Sequence, residues 1–239
     1  MMTTLERQSL LSGEIAASQN RPHWLQSVTN VAREFGFAHA TLMRAPQPTD
    51  DLLASVILET TVPIRFIREF DQQRFLPHCP LLLRVAGSVM PQCWSLDDDN
   101  SAAPYPEAME KMMRQYGVIN GVMIPINSLS CDRYLLRFDG KCPHPNQIAL
   151  NEIGMIALHA FDVYDRMRRT EMVVPKSLTK RELEVIRWTS QGKTSAEIGQ
   201  ILSLSDHTIN AYLNNAIKKL DCVNRTQLVA KAIRLKLIS

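Results

Sequence analysis

Three asparagines stand in the middle of one 16-residue stretch, "SDHTINAYLNNAIKKL", residues 205–220. Asparagine is a poor helix former, costing roughly 0.5 kcal/mol per site against alanine. Yet Ile209, Leu213, Ile217 and Leu220 recur at the three- and four-residue spacing of a helix with one buried face. Asn210, Asn214 and Lys218 then fall at i, i+4 and i+8 along the neighbouring face. A carboxamide donates and accepts at once, which matches an adenine edge in a DNA groove and is worth roughly 1–3 kcal/mol of base discrimination. Ala211 keeps the same side slim enough for the backbone to approach. Upstream, Lys193 and Thr194 open a preceding helix, where a cationic side chain and amides could hold a phosphate backbone. "SLSD" between the two helices is a tight polar connection of helix-turn-helix length. Charge and periodicity alone leave a second reading open, a solvated polar face on an ordinary helical bundle.

The rest of the chain must position that face. At 239 residues there is room for one large domain or two ordinary ones, and a 45% hydrophobic, 21% charged composition supplies ample core. No apolar run approaches the roughly 18 residues of a membrane span, and the first residues lack a basic segment followed by an apolar one. A cytoplasmic protein without a membrane role is expected. Cys79, Cys93, Cys131, Cys142 and Cys222 are odd in number and irregularly spaced, which fits reduced thiols. The net charge of +3 is uneven: residues 175–239 carry eleven Lys and Arg against five Asp and Glu, and residues 1–174 carry 16 against 19. A basic C-terminal quarter on a mildly acidic body points to a nucleic-acid module attached to something else.

Periodicity predicts a helix over 23–37, strands in "HATLMRA" and "LLASVILETT", a short helix in "PIRFIREFDQQRF" with Phe66, Phe70 and Phe75 near one face, and a helix in "EAMEKMMRQYGVI". "NGVMIPINSLSCDRYLLRFDG" reads as a hairpin, and "NQIALNEIGMIALHAFDVYDRMRR" as a long helix. The expected fold class is α+β: a sensor-like sandwich of helices about an antiparallel sheet over residues 1–169, a linker over 170–176, and a four-helix helix-turn-helix domain over 177–239. Thr179 with Glu182 and Thr194 with Glu197 are capping boxes, and Asn224 with Gln227 is a variant. They place the last four helices at about 180–190, 195–202, 206–220 and 225–236. Ser205 has no such partner, since Thr208 follows it, so the amides opening the third helix are expected to be freer for a phosphate.

The stretch from Leu178 to Ile238 closely resembles the DNA-binding domain of LuxR-type regulators. The matching residues are Leu178-Thr179, Arg181-Glu182, Trp188, Gly192-Lys193-Thr194, Glu197-Ile198, Ser205, Thr208-Ile209, Lys219-Leu220 and Asn224-Arg225-Thr226. Tyr212 departs from the family's usual histidine. The resemblance implies that Asn210 and Asn214 contact bases, that Thr208, Lys193 and Lys218 touch phosphates, and that the last helix (Leu228, Val229, Ala232, Ile233, Leu237) dimerises. Double-stranded DNA with an inverted-repeat site is the implied partner, bound by a homodimer or by a heterodimer with a related regulator.

In front of it, the order of elements is similar to the autoinducer-binding domain of quorum-sensing LuxR proteins. "VPIRFIREFDQQRFLPHCP" looks like the family's Trp, Tyr, Tyr and Asp-Pro pattern, with Phe66 at the tryptophan, Phe70 and Phe75 at the tyrosines, Cys79 at the aspartate and Pro80 at the proline. The implied ligand pocket comprises Val62, Phe66, Phe70, Phe75, Cys79 and Trp94; Gly121 and Pro125 look like further family positions. In acyl-homoserine-lactone receptors that tryptophan and aspartate meet the lactone carbonyl and the amide N–H. Phe66 has no donor and Cys79 is a weak partner. The resemblance therefore implies a regulator that senses a small apolar signal other than a standard lactone, or one that acts without ligand. A standard lactone receptor and a regulator controlled by a protein partner or by heterodimerisation are the alternatives.

Other classes find little support. A receiver would alternate strand and helix and put "DDD" (97–99) at strand ends rather than in a loop. A His78-Cys79 thiol and base would point apart as neighbours. Cys79, Cys93, Cys142 and His144 contain no paired metal-ligand spacing. No catalytic residue, metal or cofactor is expected.

Overall fold

In the computed structural model, residues 4–97, 104–129, 131–142, 144–171, 178–235 and 237–238 are described. The chain divides into two compact units, Met1–Thr170 and Glu171–Ser239.

The first unit opens with α1 (Thr4–Ala16) and α2 (Arg21–Glu34), followed by β1 (His39–Arg44) and β2 (Ile57–Thr60). Next come α3 (Ile64–Gln72), α4 (Pro80–Ala86), β3 (Gln92–Ser95) and α5 (Glu107–Gln115). The hairpin β4 (Asn120–Asn127) and β5 (Arg133–Gly140) leads into α6 (Gln147–Glu171). The strands form one sheet in the order β2-β1-β5-β4-β3, with every pairing antiparallel. Because side chains alternate along a strand, β5 divides cleanly. Tyr134, Leu136 and Phe138 pack with α1, α2 and α6, while Leu135 packs with α3, α4 and α5. The sheet is thus the middle of three layers, the α+β sandwich that patterning predicts. Trp24 anchors the first layer: its indole N–H donates to the Ala160 carbonyl at 2.7 Å, and its ring lies 4.8 Å from Tyr164.

Several expectations need correction. The helices α1 and α4 and the strand β3 go unforeseen, the last two being too short to show a period. "LLASVILETT" is a 3₁₀ turn (Leu53–Ser55) and then β2, because the Asp71 carboxylate captures the amides of Leu53 and Ala54. Phe75 lies beyond α3, after Arg74 has turned the chain at a positive φ of 51°. Thr170 and Glu171, assigned to the linker, are still within α6, where the Thr170 hydroxyl donates to the Arg166 carbonyl at 3.0 Å. The remaining linker positions 172–176, and Asp98 and Asp99, lie outside the described residues.

The second unit holds α7 (Lys180–Ser190), α8 (Ser195–Leu202), α9 (Asp206–Lys219) and α10 (Arg225–Arg234). Both capping boxes form: Thr179 N–H donates to Glu182 Oε2 at 2.6 Å, Thr194 N–H to Glu197 Oε2 at 2.8 Å, and the reciprocal side-chain caps are present. Leu178 and Leu183, which flank the cap, each pack against the core of this unit. At α10 the variant box shifts by one, with Gln227 accepting from Val223 N–H at 2.7 Å while Asn224 caps Gln227.

Candidate functional site

The C-terminal face is built on a buried apolar wall. Ile209, Leu213, Ala216 and Leu220 turn inward against Val185, Ile186 and Ile198. Ala216 takes the inner place that spacing gave to Ile217, which is only half-buried, because helical rotation carries the stripe towards the smaller residue. Asn210, Ala211, Asn214, Asn215 and Lys218 are all exposed on α9. α8 helps to aim the first of them: Ser195 Oγ donates to Asn210 Oδ1 at 2.7 Å. Ser195 was missed by sequence reasoning, and only its small hydroxyl at the first helical position could have marked it.

The flanking groups are more engaged than expected. Thr208 N–H donates to Ser205 Oγ at 3.1 Å, and the two hydroxyls lie 2.8 Å apart, so the amides opening α9 are not all free. Lys193 is half-buried, its Nζ 3.8 Å from Glu197 Oε1, while Arg225 Nη2 donates to its carbonyl at 2.7 Å. The amide and hydroxyl of Thr194 hold the Glu197 carboxyl below the usual carboxylate range. Burial pushes Glu182 up, but bonds from Lys219 Nζ (2.8 Å) and Thr179 outweigh it and leave its carboxyl below that range.

In the first unit, Phe66, Phe70, Phe75, Cys79 and Trp94 gather in one buried cluster with Val62 packed against it. Phe70 lies 5.9 Å from Phe66 and 5.6 Å from Phe75, ring centroid to centroid. Of the six, Val62 and Phe66 line a cavity of about 10 Å³, room for roughly one water molecule. Its other walls include Thr41, Thr60 and Arg137. The roof is apolar. Burial pushes the Cys79 thiol up, and His78 beside it is exposed, so the two make no thiol and base pair.

The polar chemistry lies on the sheet instead. Arg137 Nε and Nη2 donate to Asp139 Oδ1 at 3.1 and 2.9 Å, and both side chains are buried. Burial raises the Asp139 carboxyl despite the guanidinium beside it. The guanidinium also stands 5.6 Å over the Trp94 ring. Neither residue entered the sequence reading. The available signal was "LLRFD", where opposite charges two apart in an apolar strand must share one buried face.

The family model for the autoinducer binding domain matches residues 20–164, and the one for bacterial regulatory proteins of the luxR family matches residues 176–232. The transcriptional activator protein SolR of Ralstonia nicotianae is 51% identical over 229 residues, spanning 92% of this chain and 94% of its own length. BjaR1 of Bradyrhizobium diazoefficiens, also named a transcriptional activator, is 32% identical over 86% of this chain and 85% of its own. The crystal structure of Escherichia coli SdiA superposes with a TM-score of 0.77 at 21% identity, covering 99% of this chain and all of that one. SdiA in complex with octanoyl-rac-glycerol gives 0.75 at 21%, covering 98% and 96%. On these matches to both of its units, the chain belongs to the LuxR family of transcriptional regulators, with an autoinducer-binding domain ahead of a helix-turn-helix domain.

Proposed function

We propose that the protein reads an inverted-repeat DNA site through α9, with Asn210 and Asn214 meeting base edges and Lys193, Thr194, Thr208 and Lys218 meeting the phosphate backbone. The observation that carries this is the exposed row Asn210, Ala211, Asn214, Lys218 on a helix whose opposite side is fully packed. It acts in the cytoplasm as a dimer and catalyses no reaction. Exposed Ile148, Met155 and Leu158 on α6 and Ile233 on α10 support pairing with a second copy or a related regulator.

Its N-terminal domain takes a small ligand with an apolar body in the core formed by Val62, Phe66, Phe70, Phe75, Cys79 and Trp94. Phe66 and Cys79 offer neither an indole donor nor a carboxylate, so the ligand is not a standard acyl-homoserine lactone. Selection of random duplexes by the intact protein should return an inverted repeat with half-sites about one helical turn apart. A thermal-shift series should show weak or no stabilisation by lactones, since a ligand of the native state stabilises in proportion to its occupancy. A selection that enriches no motif contradicts the DNA reading. A large shift at low micromolar lactone, abolished by a bulky residue at position 79, restores the ordinary lactone receptor.

A further inference from the structure

One cross-strand row of the sheet is chemically unlike the apolar core above it. His39, Asp139, Gly121 and Trp94 are directly paired across β1, β5, β4 and β3. Trp94 and Asp139 are 1% and 0% exposed. The Trp94 indole N–H faces the Asp139 carboxyl closely enough to act against the rise that burial imposes on it, but among the described residues neither that N–H nor Asp139 Oδ2 makes a hydrogen bond of proper geometry, and neither does His39 Nδ1. Oδ2 does lie 2.9 Å from Arg137 Nε, so the carboxylate is charge-paired while retaining acceptor capacity. Gly121 makes the approach possible: a Cβ there would lie 2.9 Å from both Trp94 Nε1 and Asp139 Oδ1. Arg137 joins this row to the small cavity, since it lines the cavity and covers the Trp94 ring.

We propose that Trp94 and Asp139 form the polar anchor of the ligand site, moved from the helical roof to the sheet floor, and that they select a hydroxyl-bearing head group on an apolar body. This rests on the small-ligand reading above. A buried donor held in poor geometry and a buried carboxylate with spare acceptor capacity are both incompletely satisfied, and a group supplying a well-placed acceptor and donor improves both. The two stand over the same glycine. A hydroxyl oxygen accepts from the indole and donates to the carboxylate from a single atom. A trans amide directs its N–H and C=O to opposite sides and serves only one of them, and an ester or lactone has no donor.

Thermal shift on the full-length protein tests this with octanoylglycerol, methyl octanoate (the same chain without a hydroxyl) and N-octanoyl-homoserine lactone. The wild type is expected to bind octanoylglycerol at least tenfold more tightly than either other probe. Trp94→Phe, which keeps a ring under Arg137 but removes the donor, is expected to reduce that preference to about twofold or less. A merely structural role for Trp94 would weaken all three probes alike and leave their ratio unchanged. Asp139→Asn should do the same as Trp94→Phe, although leaving Arg137 without its counter-charge lowers stability as well, so Trp94→Phe decides. Binding without preference for the hydroxyl, or a preference that survives Trp94→Phe, overturns the anchor while leaving a small-ligand site. No shift with any probe, in protein that still selects its DNA motif, overturns the small-ligand reading and the anchor with it.

Discussion

In the C-terminal unit the polar residues proposed to read DNA are exposed and supported from behind by Ile209, Leu213 and Ala216, and their side-chain types match those the family pattern implies. In the N-terminal unit the fold is retained, and the proposed binding chemistry lies on a different wall. Phe66 and Cys79 stand where a donor and a carboxylate belong, and a buried Arg137–Asp139 pair beside Trp94 supplies charge from the opposite wall. The contrast follows from what each surface must meet. A DNA groove presents a uniform phosphate backbone and only four base-pair edge patterns, so the side chains that read it are drawn from a small set. A small-molecule core meets only its own ligand, and its polar groups can be placed on any wall that reaches it.

Substitutions in the two units should therefore fail differently. The largest effect is expected from Phe66→Ala. In a core with room for about one water molecule the lost ring leaves a void, costing about 3–5 kcal/mol in urea unfolding followed by hydrogen exchange within α3 and α5. A cost below about 1 kcal/mol would mean that the site is open and Phe66 is ligand-facing only. Gly121→Ala should follow at about 1–3 kcal/mol, because its methyl would collide with the Phe138 carbonyl oxygen and crowd Trp94 and Asp139. If it melts as the wild type does, the close approach that builds the polar row is wrong.

In the second unit, Glu182→Gln removes a carboxylate that bonds Lys219 and caps α7, and it should cost about 1–3 kcal/mol at neutral pH. The folded pKa of Glu182 lies below its unfolded value. Its contribution is therefore complete above about pH 4.5 and is lost as pH falls through the folded value. The difference between wild type and variant should narrow as the solution is acidified, and a gap that widens would contradict the assignment. Lys193→Ala is expected to act least: affinity falls for specific and scrambled duplexes alike, and the salt slope of binding flattens by about 0.9 for each half-site. An unchanged slope would remove Lys193 from the phosphate contacts.

The legible part of the sequence follows the same division. Caps and the three- and four-residue stripe locate α7 to α10 closely, because Thr179, Thr194 and Asn224 signal locally and their partners lie three residues away. In the first unit the long elements (α2, α6, β4, β5) show their period, whereas α4 and β3 span seven and four residues and are held by tertiary contacts alone. The cluster of Phe66, Phe70, Phe75, Cys79 and Trp94 could be anticipated from the family pattern. The row across His39, Asp139, Gly121 and Trp94 could not, since strand order and register bring together residues as far apart as 39 and 139. Local spacing carries no information about either.

The claim on which the regulator's function turns is that two asparagines on α9 read the DNA sequence. The direct measurement is selection of random duplexes by the wild type and by the Asn210→Ala, Asn214→Ala double variant, with affinities for the enriched and scrambled sites measured at one salt concentration. The wild type is expected to prefer its enriched site by a wide margin. The double variant should lose that preference by roughly 2–6 kcal/mol for each half-site, from about 1–3 kcal/mol per lost contact, while its affinity for scrambled DNA stays near that of the wild type. A double variant that enriches the same motif with undiminished discrimination would contradict the account.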